Sequence, residues 1–158
     1  MNKIIMSVLL TTSLLLSNCV IGSPFTKSQQ SRTLDLKDEQ EVILAITEAT
    51  TTGTIFERFI FWRRVSDVNN DLNNNKGYLG GSIRRQVFGS KAWTMTVWLD
   101  EESLENFVES RIHARAMREG ANALEKSNFH RMRVQWKNLP LTWQEAIQEL
   151  ESSEDYEK

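Results

Sequence analysis

Apolar and polar residues recur along this chain with two different periods, and the switches between them mark its elements. Glu41–Thr51, EVILAITEATT, is rich in Val, Ile and Thr and predicts a first strand, broken by Gly53 and Thr54. From Ile55 the residues Phe56, Phe59, Ile60, Trp62, Val65, Val68 and Leu72 return at helical spacing. Phe61 falls off that stripe, so the first two turns are apolar nearly all round. Such a helix is expected to be covered on more than one side, by its own sheet and by a partner subunit. Asn73-Asn74-Asn75-Lys76-Gly77 ends it, because Asn and Gly tolerate the left-handed conformation that closes a helix. Tyr78–Phe88 predicts a second strand in which Gly80-Gly81 marks a bulge or a close approach. After the turn at Gly89-Ser90, Lys91–Leu99 predicts a third strand paired to it as a hairpin. Ala92, Thr94, Thr96 and Trp98 then point to one face, and Trp93, Met95, Val97 and Leu99 to the other. Large groups on both sides predict that both faces are covered.

Asp100 suits a helix N-cap, with Ser103 three residues on and Glu101 and Glu102 well placed against the helix dipole. Leu104, Phe107 and Val108 give this helix its buried stripe. Ile112, Ala116 and Met117 continue the spacing, and Glu109-Ser110-Arg111 is a point at which the axis can be interrupted. Phe129–Trp136 alternates and predicts a fourth strand, closed by Pro140. Thr142 caps a last helix carrying Trp143, Ala146, Ile147 and Leu150, and residues 151–158 form an acidic, solvated tail. The order β-α-β-β-α-β plus a C-terminal helix predicts a ferredoxin-like α+β domain over residues 41–150, an antiparallel sheet with both helices on one face. The opposite face, rich in apolar and aromatic residues, predicts a homodimer in which two sheets pack face to face.

The N-terminus follows another pattern. Lys3 supplies a positive start, and Ile4–Leu16 is apolar apart from Thr11, Thr12 and Ser13. A run of this length predicts a signal peptide over residues 1–22 rather than a membrane span. Leu16-Ser17-Asn18-Cys19 resembles a bacterial lipobox, although Asn18 stands where Gly, Ala or Ser is usual. Cleavage before Cys19 would make it a lipidated N-terminus, and acyl chains would hold the protein on a membrane. Cleavage after Val20-Ile21-Gly22 would instead leave a cysteine-free chain. Both fates predict export, to the cell membrane as a lipoprotein or to the periplasm. The polar stretch over residues 23–40 reads as a flexible tether.

Composition narrows the function. The 158 residues are 40 % apolar and 25 % charged, enough for one domain with its own core. A net charge of −2 gives no electrostatic footprint for nucleic acid. Loss of residues 1–22 removes only Lys3, making the charge 18 − 21 = −3. A single cysteine and two histidines exclude a disulfide framework and a Cys/His zinc site.

The run Trp93–Met117, W-T-M-T-V-W-L-D-E-E-S-L-E-N-F-V-E-S-R-I-H-A-R-A-M, resembles the strand-helix core of the antibiotic-biosynthesis-monooxygenase-like superfamily, the dimeric α/β-barrel proteins. Trp93-Thr94, Val97-Trp98, Asp100-Glu101, Phe107, His113 and Ala116-Met117 carry the likeness, and Lys76-Gly77-Tyr78-Leu79-Gly80 is similar to the opening of the family's second strand. The likeness covers about residues 41–138. This fold hosts cofactor-free oxygenases, haem-degrading enzymes, dismutases and proteins without a known reaction. The haem-degrading pattern is not reproduced: Phe107 stands at the tryptophan position, Arg118 near the histidine position, and Thr47 and Glu48 where an asparagine is usual. His113 falls too early for that pattern and resembles the histidine of quinol- and carotenoid-oxygenase-like relatives.

The resemblance implies a cofactor-independent monooxygenase acting on a small hydrophobic or aromatic ligand, with His113 as its base. An imidazole can exchange a proton near neutral pH or ligate a haem iron. On an uninterrupted helix, however, His113 lies opposite Leu104 and Val108 and faces solvent. Trp98, Trp93 and Phe59 are the candidate ligand-lining aromatics, though large aromatics also simply fill cores. His130 alternates with Met132 and Val134 as a structural histidine would. Arg63-Arg64 and Arg84-Arg85 suit either an acidic ligand or a solvated surface. A non-catalytic envelope binding protein and a haem binder using His113 are the competing readings.

Overall fold

The computed structural model describes residues 19–153. The chain runs β1 (Val20–Gly22), β2 (Thr26–Lys27), α1 (Gln29–Thr33), β3 (Glu41–Thr51), α2 (Ile55–Asp71), β4 (Tyr78–Gln86), β5 (Lys91–Trp98), α3 (Glu101–Val108), α4 (Arg111–Gly120), β6 (Leu124–Gln135) and α5 (Trp143–Ser152). The strands form one antiparallel sheet in the order β1-β4-β5-β3-β6, with β2 also paired to β4. Its four long strands, ordered β4-β5-β3-β6, with α2, α3 and α4 on one face, make the ferredoxin-like α+β fold the sequence predicts. The apolar run Ile4–Leu16 and the last acidic residues lie outside the described segment. Among the described residues no helix is long and apolar enough to cross a membrane.

Local chemistry sets the ends of the helices. Thr54 and Glu57 form a capping box at α2: Glu57 N–H donates to Thr54 Oγ1 at 3.2 Å, and Thr54 N–H to the Glu57 carboxylate at 2.7 Å. Hydrogen bonds from Thr54 hold the Glu57 carboxyl below its usual range. Thr142 and Glu145 repeat the device at α5. Asp100 accepts from Ser103 N–H at 2.8 Å, as its N-cap position predicts. Gly77 takes φ +80°, a left-handed conformation that suits glycine, in the turn into β4. The register between β4 and β5 shifts between Tyr78 and Gly80, the bulge expected at the paired glycines.

The two faces of the sheet are finished differently. On one, Val42, Leu44 and Ile46 of β3 join Trp93, Met95 and Val97 of β5 and Leu79 of β4 in a core cluster. Ala146 and Leu150 of α5 belong to that cluster, with Phe25, Leu36, Trp136, Leu139 and Trp143 packed around it. The twin copy expected over this face is therefore not needed to hide it, because α5 and the segments before β3 and after β6 do so within one chain. On the other face, α2 packs chiefly against α4, and none of its residues is buried. Its first turns, expected to be covered, leave Ile55, Phe56 and Phe59 exposed.

Two further boundaries differ from the pattern. Residues 23–40 are not a free tether. Ser28 and Ser31 are buried, Ser28 Oγ donates to the Tyr78 carbonyl at 2.6 Å, and the Gln30 side chain bridges the Asn75 carbonyl and Gly77 N–H at 2.8 and 2.9 Å. These bonds are made by polar side chains, so hydropathy carries no trace of them. β6 begins at Leu124, five residues before the alternation starts at Phe129. Its polar opening is recruited by the β3 ladder, which pairs Glu48 with Asn128 and Thr50 with Lys126.

Leu150 is fully buried whereas Phe59 is exposed, so truncating them should separate sharply. Leu150→Ala is expected to cost about 2–5 kcal/mol in urea unfolding, whereas Phe59→Ala should stay within about 0.5 kcal/mol.

Candidate functional site

A cavity of about 630 Å³ lies between the sheet and its helices. Its floor is made of small side chains: Ala45, Thr47 and Ala49 from β3, Ala92, Thr94 and Thr96 from β5, and Gly81 from β4. These are the residues that point away from the large group on the opposite face, so the alternation that packs one side hollows the other. Phe61, Trp62, Val65 and Val68 of α2 form the roof, and Phe107 of α3 with His113, Ala116 and Met117 of α4 close one wall. The lining is mostly apolar, with threonine hydroxyls on the floor and polar side chains such as Lys27, Ser28, Arg64, Asn69 and Asn73 among the rest, a make-up that suits a small ligand with an apolar body.

His113 reaches this wall because the helix breaks. α3 ends at Val108, and Ser110 starts α4 by accepting from His113 N–H at 3.2 Å. The interruption turns the imidazole from the solvent side to the cavity. Its Nδ1 lies 2.9 Å from the Val108 carbonyl. A carbonyl oxygen can only accept, so Nδ1 carries the proton and Nε2 is the basic nitrogen of the neutral ring. The ring also meets Phe107, with centroids 4.9 Å apart.

Behind Phe107 the aromatic contacts continue. Phe107 stacks on Trp98 at 4.8 Å, and Trp98 meets Tyr78 at 5.2 Å. Trp98 is fully buried and does not line the cavity. It acts through Thr96, to which its Nε1–H donates at 3.0 Å. Thr96 thus accepts from below and keeps its own hydroxyl proton to donate. Burial pushes the Tyr78 phenol up to about 12.

The other sequence candidates lie elsewhere. Trp93 is on the opposite face, where Nε1–H donates to the buried Glu48 carboxylate at 2.7 Å. Lys91 Nζ holds the other carboxylate oxygen at 3.0 Å. Phe59 is exposed and outside the cavity. Arg84 sits between the Trp93 and Trp143 rings, 4.8 and 5.0 Å from their centroids, where burial lowers its affinity for the proton. Arg85 covers Trp62 at 5.1 Å. Arg64 pairs with Glu119 at 2.9 Å and also with Asp67, while Arg115 holds the second Glu119 oxygen at 2.8 Å. Glu119 therefore ties α2 to α4, and roof and wall are one unit. Cys19 is exposed, immediately before β1. Among the described residues no group of three His, Cys, Asp or Glu side chains is placed to hold a metal ion.

The floor hydroxyls of Thr47 and Thr94, with Phe61 above them, were not among the sequence candidates. The signal was present in KAWTMTVW, where every inward residue before Trp98 is Ala or Thr.

No protein-family model matches the sequence, and no curated protein matches it. The fold does match solved structures. A candidate monooxygenase from Lactobacillus acidophilus aligns with a TM-score of 0.54 at 9 % identity, over 69 % of this chain and 48 % of that one, so this chain spans about half its length. A cofactor-independent oxygenase from Streptomyces nogalater aligns with a TM-score of 0.51 at 12 % identity, over 64 % of this chain and 99 % of that one. A candidate antibiotic-biosynthesis monooxygenase from Caulobacter crescentus gives 0.51 at 10 %, over 60 % of this chain and 90 % of that one. At these identities the likeness is one of fold alone.

The Tyr78 phenol supplies a test of the buried wall. The folded state keeps its proton above pH 10, where an unfolded tyrosine loses it, so its contribution is full below pH 10 and is lost as pH rises towards 12. Wild type should lose on the order of 2 kcal/mol across that window, and Tyr78→Phe should flatten that part of the pH–stability curve.

Proposed function

We propose that the chain is a cofactor-independent, monooxygenase-like protein that holds a small hydrophobic or aromatic ligand in the cavity between sheet and helices, with His113 as general base. The single observation that carries this reading is the His113 ring at the wall of an apolar cavity, with Nδ1–H spent on the Val108 carbonyl and Nε2 left basic. In the proposed step, His113 Nε2 takes a proton from an acidic C–H of an electron-rich ligand. The resulting carbanion gives its electrons to O₂, one oxygen atom stays on that carbon, and the other leaves as water. A CH₂ group thereby becomes C=O, with four electrons passed to O₂. The apolar roof and wall limit water's access to the carbanion, and the Thr96 hydroxyl can donate to the oxygen that forms.

A haem reading draws on the same nitrogen, since Nε2 is also the atom that would ligate an iron. Spectra of the purified full chain titrated with haemin separate the two: a sharp Soret band lost in His113→Ala favours haem, and its absence favours the cofactor-free reading.

We extend the proposal to an exported protein anchored through lipidated Cys19. In its support, cleavage after Gly22 would delete β1 and its three pairings with β4, whereas cleavage before Cys19 keeps them. A homodimer belongs to the same proposal, through a surface other than the one α5 occupies.

His113→Ala is expected to lower turnover of a hydroxylated aromatic or anthrone-like probe by about 10²–10⁴-fold while leaving its binding within a few fold. Oxygen-electrode rates paired with fluorescence binding measure both. Tight binding with no oxygen uptake in wild type would instead identify a non-catalytic binding protein.

A further inference from the structure

One end of the domain gathers exposed apolar side chains from separate parts of the chain. Thr51 N–H donates to the Ser90 carbonyl at 2.8 Å, which sets the β3–α2 turn beside the β4–β5 turn. Val87 N–H donates to the Cys19 carbonyl at 2.9 Å, so the chain also enters the described fold at this end. Here Ile55, Phe56, Phe88 and Phe59 are 82, 70, 67 and 62 % exposed. Ile55 and Phe56 each lie within one helical turn of Phe59, so they share a face of α2. Val20 and Ile21 of β1 are exposed as well. Scattered surface apolar residues need no explanation, but three phenylalanines at one tip are an interaction surface.

We propose that this tip rests in the surface of a phospholipid bilayer. The chain that leads to it argues for that occupant. Residues 1–18, with the apolar run Ile4–Leu16, join the domain at Cys19, on the tip itself, and after the proposed cleavage the lipidated Cys19 stands at the same place. β1 starts at the next residue, so Cys19 is joined directly to the sheet. Whatever holds the N-terminus in a membrane therefore holds this end of the domain against it. Arg58 and Arg85 are exposed at the same end and suit anionic headgroups. The phenylalanines would sit at the headgroup–acyl boundary, as the apolar faces of interfacial helices do. The inference rests on the proposed N-terminal anchor and is independent of the chemistry assigned to the cavity.

The test uses the full chain reconstituted into vesicles of phosphatidylethanolamine and phosphatidylglycerol with brominated acyl chains, which quench tryptophan on contact. Phe56→Trp and Phe88→Trp each place a probe on the tip. Leu34→Trp places one at the opposite end, where α1 meets the Asn75–Gly77 turn through Gln30. All three sites are exposed, so folding is preserved. The added tryptophan is expected to be quenched on the order of threefold more at Phe56 and Phe88 than at Leu34. Equal quenching at all three sites would mean a domain with no preferred face, and quenching at none would mean a domain held clear of the bilayer. Either result overturns the proposal. So would emission at Phe56→Trp that blue-shifts with protein concentration in the absence of vesicles, because a second copy would then cover the tip.

Discussion

Strands β3 and β5 are large on one side and small on the other, and the rest of the architecture follows from that asymmetry. Val42, Leu44, Ile46, Trp93, Met95 and Val97 must be hidden from water, and α5 hides them. Ala45, Thr47, Ala49, Ala92, Thr94 and Thr96 leave room that no helix side chain fills. Interiors are close-packed where they can be. A persistent gap here requires a roof supported from its edges, and α2 has that support in α4 and the Glu119 ion pairs. A floor of Leu and Ile would draw α2 down onto the sheet and leave a solid core.

Position and type of element were legible wherever the signal was local. Asp100 and Thr142 announced helix starts through their own side chains, and Gly80-Gly81 announced the bulge. The fourth strand was legible only from Phe129, because Lys126–Asn128 are held by pairing with β3 rather than by their own hydropathy. The stretch before β3 was read as a tether for the same reason. Its order comes from Ser28 and Gln30 bonding to backbone some 45 to 50 residues away. The second sheet face was correctly read as needing a cover. That α5 provides one depends on the path of the chain after Pro140, which no periodicity encodes.

The site was half legible. His113 and the helix interruption at Glu109–Arg111 were both visible, yet the two had to be combined to see that the break brings the imidazole to the cavity. Trp93 and Phe59 were chosen for being aromatic, and aromatic character does not say which face a side chain takes. Trp93 is committed to Glu48 on the packed face, and Phe59 belongs to the exposed tip. Trp98 lies between these outcomes. It never meets the cavity, but it fixes Phe107 and Thr96, which do.

The hollow face also sets how the protein can diverge. Alanine has no rotamer and threonine a restricted one, so the floor is stiff and the shape of the cavity is set by larger residues, Phe61 in the roof and Phe107 and Met117 in the wall. Exchanging Thr47 or Thr94 for a bulkier residue would fill cavity space, whereas a Cβ on Gly81 would lie 2.7 Å from the Tyr78 hydroxyl and Ala45 is already packed with Ile43, Leu72 and Trp98. On the α5 side the same exchange would force packed side chains apart. The sheet thus has one face on which the size of the cavity can change at a few positions and one that admits no such change.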